Sequence, residues 1–282
     1  MNFQHILLEQ RQGVAHLVLN RPDKRNALGF GPDSSRGEIV RALQQADQNP
    51  DVRVILISAR GPDFCAGGDV KGLPTDPTPA DDLWVIQQVD AFHEAIRAIR
   101  KPVIAAVHGR CLGAGLSFIS QCDFVLAAES AQFGLPEGRF GHPGGSELAA
   151  AIGPAWAKFL IFTGEPISAA HAVRLGLVLM TLPDAELADA ATDLCERIAR
   201  MPADAVVLNK RAIEKATEAG GRAAGRAAGR SSDVITKAMS RRAAAPDGRP
   251  FEHIISTEGT QGLKQAMAQQ YTESWLKRYH DA

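Results

Sequence analysis

Short, mainly apolar runs alternate with amphipathic segments along the first half of the chain. Runs typical of strands occur at residues 6–9, 14–19, 52–58, 103–107 and 124–127. The first two flank a polar turn and predict a β-hairpin. Apolar side chains recur at helical spacing over residues 38–46 and 83–99, which places His93 on the solvent side of the second helix. Repeated strand, turn and helix units predict an α/β fold whose right-handed crossovers stack into a spiral.

Two of the predicted strands lead directly into turns of small residues. Residues 64–71 (FCAGGDVK) follow the strand at 52–58, and glycines 109, 113 and 115 follow the strand at 103–107. A strand that feeds a glycine turn and then a helix leaves N–H groups that bind negative charge. The glycines match neither the dinucleotide fingerprint nor a P-loop, because no Lys-Ser/Thr pair follows Gly115.

The second turn alone is explained equally well by close packing of a helix on a strand. Two such turns on neighbouring strands, however, can direct one N–H group each at a single oxygen atom. That arrangement stabilises a developing enolate or tetrahedral anion. The pair of turns therefore predicts an oxyanion site.

Five motifs lie along the chain in a fixed order. They are residues 19–28 (LNRPDKRNAL), 64–71, 107–123, 131–137 (AQFGLPE) and 160–178. In these motifs the chain resembles the crotonase superfamily, also called the enoyl-CoA hydratase/isomerase family. The resemblance implies a crotonase-like α/β spiral of repeated ββα units over residues 1–200, and a C-terminal helical capping and trimerisation region over residues 201–282. It also implies a coenzyme A thioester as substrate, in fatty acid metabolism, with no metal and no other cofactor.

The resemblance also assigns roles to individual residues. The main-chain N–H groups of Gly68 and Ala114 would form the oxyanion hole; the family usually has glycine at the second position, and alanine keeps the N–H. The residues implied to lie along coenzyme A are Lys24, Arg25, Ala27, Ala66, Gly68, Asp69, Val70 and Lys71.

The acid and base positions depart from the family's hydratases, which use two glutamates. Glu137 matches the second glutamate, while Ser117 replaces the first. A single carboxylate also occurs in the family's double-bond isomerases, and a serine at position 117 resembles the hydroxycinnamoyl-CoA hydratase-lyases. The alternatives to catalytic roles are a surface glutamate at position 137 and a hydroxyl at position 117 that is hydrogen-bonded to its own helix backbone. We therefore predict an acyl-CoA enzyme with Glu137 as acid/base, and the reaction stays open among hydration, isomerisation and hydratase-lyase cleavage.

The segment after Glu137 is a few residues shorter than is usual in the family. This shortening brings His142 and Glu147 into consideration as the missing acid or base. A histidine between glycine and proline can also have a purely structural role in the turn.

Arginine and glycine recur every fourth residue between positions 220 and 230. Arg222, Arg226 and Arg230 fall on one helical face. This basic face could bind a phosphate of coenzyme A or of RNA, or the run could be a solvated, low-complexity helix without a ligand. This face and the missing glutamate motivate an alternative of another class, a non-catalytic RNA-binding or scaffold protein of the same fold. Otherwise we expect no nucleic acid partner.

The amino-acid composition excludes few classes of protein. The 282 residues are 45% hydrophobic with a net charge of −1, which suits one large or two small domains and indicates no strongly charged partner. Four cysteines lack paired or zinc-binding spacing, which predicts reduced thiols in a cytoplasmic protein, and no apolar stretch predicts a membrane segment. Met267, Tyr271 and Trp275 recur every fourth residue and predict an amphipathic helix with an apolar face from Leu263 to Trp275. The resemblance implies that the C-terminal helices build a homotrimer or a dimer of trimers, which such a face would serve.

Overall fold

The computed structural model describes residues 3–70, 73–74, 77–268 and 274–279. Lys71 and Tyr271, to which the sequence assigned roles, lie outside these residues. In the described part of the chain, a six-stranded sheet has the order β1 (Ile6–Arg11), β2 (Val14–Leu19), β3 (Val54–Ala59), β4 (Val103–Val107), β6 (Phe124–Ala128) and β9 (Met180–Leu182). A second sheet has the order β5 (Arg110–Leu112), β7 (Gln132–Gly134) and β8 (Ile167–Ser168).

Helices connect and cover these strands. They are α1 (Ser35–Gln48), α2 (Pro79–Arg97), α3 (Ala114–Ile119), α4 (Ala149–Ile152), α5 (Pro154–Thr163), α6 (Ala169–Arg174), α7 (Leu187–Ala199), α8 (Ala203–Thr217), α9 (Ala223–Ser240), α10 (Phe251–Ala266) and α11 (Trp275–Tyr279). A π-helical turn over Glu218–Arg222 joins α8 to α9. No helix among the described residues is both long enough and apolar enough to cross a membrane.

Local sequence signals explain where the elements begin. β1 and β2 form the predicted hairpin, and positive φ angles of 50° at Gln12 and 79° at Gly13 suit a two-residue turn that follows the twist of the strands. In α1, the Ser34 side chain accepts a hydrogen bond from the Gly37 N–H, and in α2 Thr78 and Asp81 form a capping box. From β2 onward, each neighbouring pair of strands in the large sheet is parallel.

The parallel strands form the core because helices pack on both faces of their sheet. Every residue of β4 is buried, as the continuous apolar run predicted. α7 packs on β2, β3, β4 and β6, while α1 packs on β1, β2 and α2. The small sheet begins just after Gly109, whose φ of 57° and close approach to the Pro62 carbonyl oxygen leave no room for a Cβ. The predicted succession of strand, turn and helix is confirmed.

Two assignments of exposure from the sequence are wrong. His93 is buried, because α9 and the 3-10 turn at Ser146–Leu148 cover the side of α2 that periodicity left to solvent. Leu263 and Met267 are also buried, in a cluster with Phe251 and Ile254. The apolar face predicted for self-association is therefore used within the subunit, although Trp275 is 55% exposed.

The arginines of the period-four run bind groups of their own chain. Arg226 donates two hydrogen bonds to the Glu218 carboxylate, and Arg222 donates to the Ser120 carbonyl oxygen at 3.1 Å. Arg230 pairs with Asp90 and with Glu94 of α2. These contacts fasten α9 to α2 and α3, so the observation that motivated the RNA-binding alternative has an intramolecular explanation.

Candidate active site

The two turns predicted to hold an oxyanion lie side by side. Cys65 and Cys111 form an isolated parallel bridge, and the Leu112 N–H donates to the Cys65 carbonyl oxygen at 2.9 Å. A Cβ added to Gly67, whose φ is 118°, would lie only 3.9 Å from the Ala114 nitrogen. The first turn therefore faces the start of α3.

The N–H groups of Gly68 and Ala114 are free to bind a ligand. Gly68 bridges to Leu28, but the hydrogen bonds of that bridge use the Leu28 N–H and the Asp69 N–H. Ala114 is the first residue of α3, so its N–H has no acceptor within the helix. Among the described residues, neither N–H group donates a hydrogen bond. A Cβ at Gly68 would meet no atom within 4 Å, so the space around this residue is open.

The Glu137 carboxylate lies against the same turn. A Cβ at Gly113, the residue before Ala114, would lie 3.0 Å from Glu137 Oε2, and one at Gly144 would lie 3.2 Å from Oε1. Oε2 is inaccessible to solvent and has no hydrogen-bond partner among the described residues. Burial raises the pKa of Glu137 to about 7, against a smaller lowering by its own backbone N–H. A carboxyl group of this kind can take up and release a proton near neutral pH.

Ser117 lies one helical turn after Ala114, on the same side of α3. Its N–H donates to the Gly113 carbonyl oxygen, but no hydrogen bond between described residues involves its hydroxyl. The alternative of a hydroxyl bonded to its own backbone is therefore wrong. Ser117 therefore offers a half-buried hydroxyl to which no described residue is hydrogen-bonded and which can bind a ligand.

The Glu147 carboxylate is already bound by His93 and Gln121. Its Oε1 lies 3.2 Å from His93 Nδ1, and its Oε2 accepts a hydrogen bond from Gln121 Nε2 at 3.0 Å. Burial by itself raises the pKa of Glu147, but the charge and hydrogen bond of His93, with help from Arg97 and Gln121, outweigh it and hold the pKa below its usual value. An ionised, fully engaged carboxylate cannot serve as the missing acid.

His142 is close to Glu137 but is a poor base. Its N–H donates to the Glu137 carbonyl oxygen at 3.1 Å, and its Nε2 lies 3.4 Å from Lys237 Nζ. Burial, with a smaller contribution from the Lys237 charge, lowers the pKa of His142 to about 3. The ring is therefore neutral at physiological pH, and Glu137 is left as the titrating group of this site.

The segments implied to bind coenzyme A run beside one another. Ala66 N–H donates to the Arg25 carbonyl oxygen at 2.9 Å, which fixes the loop holding Lys24 and Ala27 against the first oxyanion turn. Lys24 and Arg25 are exposed at its edge. Three further members of that set take part in packing the two loops. Asp69 pairs with Arg21 at 3.0 Å, the Ala27 carbonyl oxygen accepts a hydrogen bond from Arg21, and the Val70 N–H donates to the Gly68 carbonyl oxygen.

Sequence reasoning missed Arg36, which is buried beneath the Gly68 turn. Its Nη1 donates to the carbonyl oxygens of Leu28 and Gly29 at 2.6 and 2.9 Å, and its guanidinium lies 4.4 Å from the Phe30 ring centroid. Burial lowers the pKa of Arg36 to about 10, so it remains a cation. Because Leu28 bridges to Gly68, Arg36 helps to fix the turn that carries the Gly68 N–H. An arginine within an amphipathic helix gave no signal for this role.

Comparison with known proteins identifies the family. Residues 9–242 match the sequence profile of enoyl-CoA hydratase/isomerase. The chain is 37% identical over 223 residues to the probable enoyl-CoA hydratase echA8 of Mycobacterium tuberculosis, covering 78% of this chain and 84% of that protein. It is 33% identical over 222 residues to the 1,2-epoxyphenylacetyl-CoA isomerase of Escherichia coli, covering 76% and 83%.

A solved structure extends the likeness to nearly the whole chain. The enoyl-CoA hydratase/isomerase from Xanthobacter autotrophicus Py2 superimposes with a TM-score of 0.84 at 27% identity, covering 96% of this chain and 98% of that one. The two oxyanion turns and Glu137 all lie within the matched residues. The chain therefore belongs to the enoyl-CoA hydratase/isomerase family, the crotonase superfamily, and has its fold.

Proposed function

We propose that the protein shifts the double bond of an acyl-CoA thioester through an enolate, with Glu137 carrying the proton. The observation that carries this proposal is the unpartnered, buried Glu137 Oε2 beside Gly113, next to the two free N–H groups of Gly68 and Ala114. One group that exchanges a proton near neutral pH and two donors for a single oxygen are the parts that enolate chemistry requires.

The reaction proceeds in two proton transfers. The thioester carbonyl oxygen accepts hydrogen bonds from Gly68 and Ala114, and the Glu137 carboxylate removes a proton from the α- or γ-carbon. The electron pair of that C–H bond moves through the conjugated carbons onto the carbonyl oxygen, where the two N–H groups stabilise the negative charge. Glu137 then returns the proton to the other carbon, so no atom is gained or lost.

Isomerisation needs only one titrating group, which is why we favour it over hydration. A serine hydroxyl such as that of Ser117 needs a separate base to ionise it, Glu147 is bound to His93, and the pKa of His142 is about 3. A hydratase needs a second group to activate water while the first protonates carbon.

Coenzyme A lies, in this proposal, along the paired segments at residues 24–27 and 66–70. The exposed cations Lys24 and Arg25 stand at the edge of that surface, where they can face the phosphates of the nucleotide portion. The thioester then reaches the Gly68 turn at the inner end of the same surface.

A panel of 2-enoyl and 3-enoyl thioesters tests the reaction type. We expect interconversion of the positional isomers without a change in product mass, because the proton that leaves one carbon returns to another. Chromatography with mass spectrometry measures this. A product heavier by one water would replace isomerisation with hydration, and failure to convert any thioester would contradict the enzymatic proposal.

We also propose that the chain self-associates as a trimer or a pair of trimers. Large apolar side chains on α5, α8 and α9 are strongly exposed in the single subunit: Phe162 (75%), Leu208 (62%), Ile213 (67%), Ile235 (62%) and Met239 (61%). Covering them in an assembly removes apolar surface from water. Light scattering at micromolar concentration should give three or six times the 30.1 kDa chain mass, and a monomer mass would refute the proposal.

A further inference from the structure

Arg21, in the motif at residues 19–28, bridges the two segments that meet at the Gly68 turn. Its Nη1 donates a hydrogen bond to the Ala27 carbonyl oxygen at 2.8 Å, and its Nη2 donates to Asp69 Oδ2 at 3.0 Å. The Arg21 side chain is only 19% exposed, so these contacts are largely shielded from water. One planar guanidinium therefore fixes the loop at residues 21–28 against the turn at residues 64–70.

A continuous line of hydrogen bonds leads from Arg21 to the Gly68 N–H. The carbonyl group that Arg21 binds belongs to the peptide unit between Ala27 and Leu28, and the N–H of that unit donates to the Gly67 carbonyl oxygen at 2.9 Å. The Gly67 carbonyl and the Gly68 N–H share the next peptide unit. Because the C=O and N–H bonds of a trans peptide unit point in opposite directions, the Gly68 N–H points away from Leu28. It donates to no other described residue, so it forms the free end of the line.

Hydrogen bonds in such a line polarise one another. A donor at a carbonyl oxygen makes the N–H of the same peptide unit a stronger donor, by roughly 10–30% per bond. A charged donor has the larger effect, because its hydrogen bonds are roughly twice as strong as those of a neutral donor. Ser35 Oγ also donates to the Ala27 carbonyl oxygen, but it is neutral and its bond is longer, at 3.3 Å. Arg21 is therefore the main source of polarisation at this end of the line.

The Ala114 N–H is polarised differently. It shares a peptide unit with the Gly113 carbonyl, which accepts a hydrogen bond from the Ser117 N–H at 3.0 Å in the first turn of α3. That donor is a neutral main-chain group. Of the two proposed oxyanion donors, Gly68 is thus the one with a guanidinium behind it.

The loop that carries Arg21 is itself held firmly. The Arg21 N–H donates to Asn26 Oδ1 at 2.8 Å, and Asn26 Nδ2 donates to the carbonyl oxygens of Arg60 and Asp63, at 2.9 Å in each case. Asn26 is buried. These bonds attach the loop to the end of β3, so the guanidinium extends from a fixed position.

We propose that Arg21 is a positioning residue of the oxyanion hole. It orients the peptide unit of Gly67 and Gly68 and strengthens the Gly68 N–H as a donor to the thioester oxygen. In this role Arg21 acts through two peptide units and does not contact the substrate. The inference rests on the proposed function, because it requires that oxygen to bind the Gly68 N–H.

The carbonyl stretching band of a bound thioester tests this role without turnover. Hexanoyl-CoA, isotopically labelled at its carbonyl carbon, has no double bond to move, and hydrogen bonds to its carbonyl oxygen lower the frequency of the band. In Arg21→Gln, which lacks the charged donor, we expect the band to return towards that of the free thioester by roughly 10–30% of the wild-type shift. Infrared difference spectroscopy measures this displacement.

Kinetics on the same variant gives a second readout. We expect kcat on the best enoyl thioester to fall by roughly two- to tenfold in Arg21→Gln, because one oxyanion donor is weakened but not removed. The Kd of hexanoyl-CoA should change less than kcat, since the enolate oxygen carries more negative charge than the carbonyl oxygen of the ground state.

Arg100 offers a matched control remote from the site. Its side chain also makes one hydrogen bond to a carboxylate and one to a carbonyl oxygen, both of Asp47. Arg100→Gln loses the same two kinds of bond and should keep the wild-type band and kcat. Arg21→Lys retains the charge but not the planar fork, so its band should lie between those of the wild type and Arg21→Gln.

The outcomes separate this inference from the proposed function. A wild-type band in folded Arg21→Gln, or an equal displacement in Arg100→Gln, would overturn the inference. If Arg21→Gln does not fold, a wild-type band in Arg21→Lys would overturn it instead. A displaced band in Arg21→Gln, without turnover of any thioester by the wild-type protein, would sustain the inference and refute the proposed reaction. A band that does not shift when hexanoyl-CoA binds the wild-type protein would refute the oxyanion hole, and the inference with it.

Discussion

Replacing Glu137 with glutamine should lower kcat on the best thioester by roughly 10²- to 10⁴-fold, the range of general acid–base catalysis, and leave Kd for the acyl-CoA almost unchanged. The amide keeps the shape and the hydrogen-bonding end of the side chain but cannot exchange a proton. Steady-state kinetics with calorimetric binding measures both quantities. Ser117→Ala, which removes a hydroxyl from the same site, should lower kcat far less, because a serine hydroxyl does not exchange a proton near neutral pH without a separate base.

The pH profile provides a second measurement of the same residue. Because the base must be ionised and the pKa of Glu137 is about 7, kcat/KM for proton abstraction should rise about tenfold per pH unit below pH 7 and level off above it. Glu137→Gln should remove this rising limb from its residual activity. Wild-type turnover in Glu137→Gln would mean that another group moves the proton, and parallel His142→Asn and Glu147→Gln variants would identify it.

Loss of folding cannot explain the expected loss of activity. Folding raises the pKa of Glu137 from 4.5 to about 7, so the folded state binds the proton more tightly than the unfolded state. The ionised side chain therefore lowers stability by about 3 kcal/mol above pH 7, and this loss disappears as the pH falls below 4.5. Since glutamine does not ionise, Glu137→Gln should be at least as stable as the wild type at pH 8 in urea denaturation.

A folded Gly68→Pro variant loses roughly 10²-fold or more in kcat, as expected when one oxyanion donor is removed. Proline has no N–H, so the thioester oxygen keeps only the Ala114 donor while charge develops on it. Gly68→Ala is the matched control, because it retains the N–H and its Cβ meets no atom within 4 Å. Circular dichroism first verifies that both variants fold. Rapid-quench or steady-state kinetics then compares their kcat values.

The control defines what would contradict this assignment. Gly68→Ala should keep kcat within a few-fold of wild type, with any added methyl contact appearing in KM. If Gly68→Pro and Gly68→Ala have the same kcat, the Gly68 N–H does not stabilise the enolate. A folded Gly68→Pro protein with near-normal turnover would likewise exclude it from the oxyanion hole.

The sequence by itself determined the order of the elements and the position of the chemistry along them. Continuous apolar runs are sufficient to indicate buried parallel strands, and β4 is buried throughout. Positive φ angles at Gly67, Gly109 and Gly113 favour glycine, and at Gly109 the Pro62 carbonyl oxygen also leaves no room for a Cβ. These constraints are local, so the order of residues alone was sufficient to predict two glycine turns after neighbouring strands, whereas the roles of Gly68, Ala114 and Glu137 were implied by the resemblance to the family.

Only the tertiary structure decided which polar groups are free to act. The periodicity of a helix describes its faces relative to its own axis and cannot say which element covers each face. It therefore placed His93 in solvent, and Glu147 remained a candidate acid or base. Packing of α9 on α2 buries His93, and its contact with Glu147 removes that carboxylate from the chemistry. The same long-range packing buries Glu137 Oε2, leaves it without a hydrogen-bond partner among the described residues and raises the pKa of Glu137, because desolvation depends on neighbours distant in sequence.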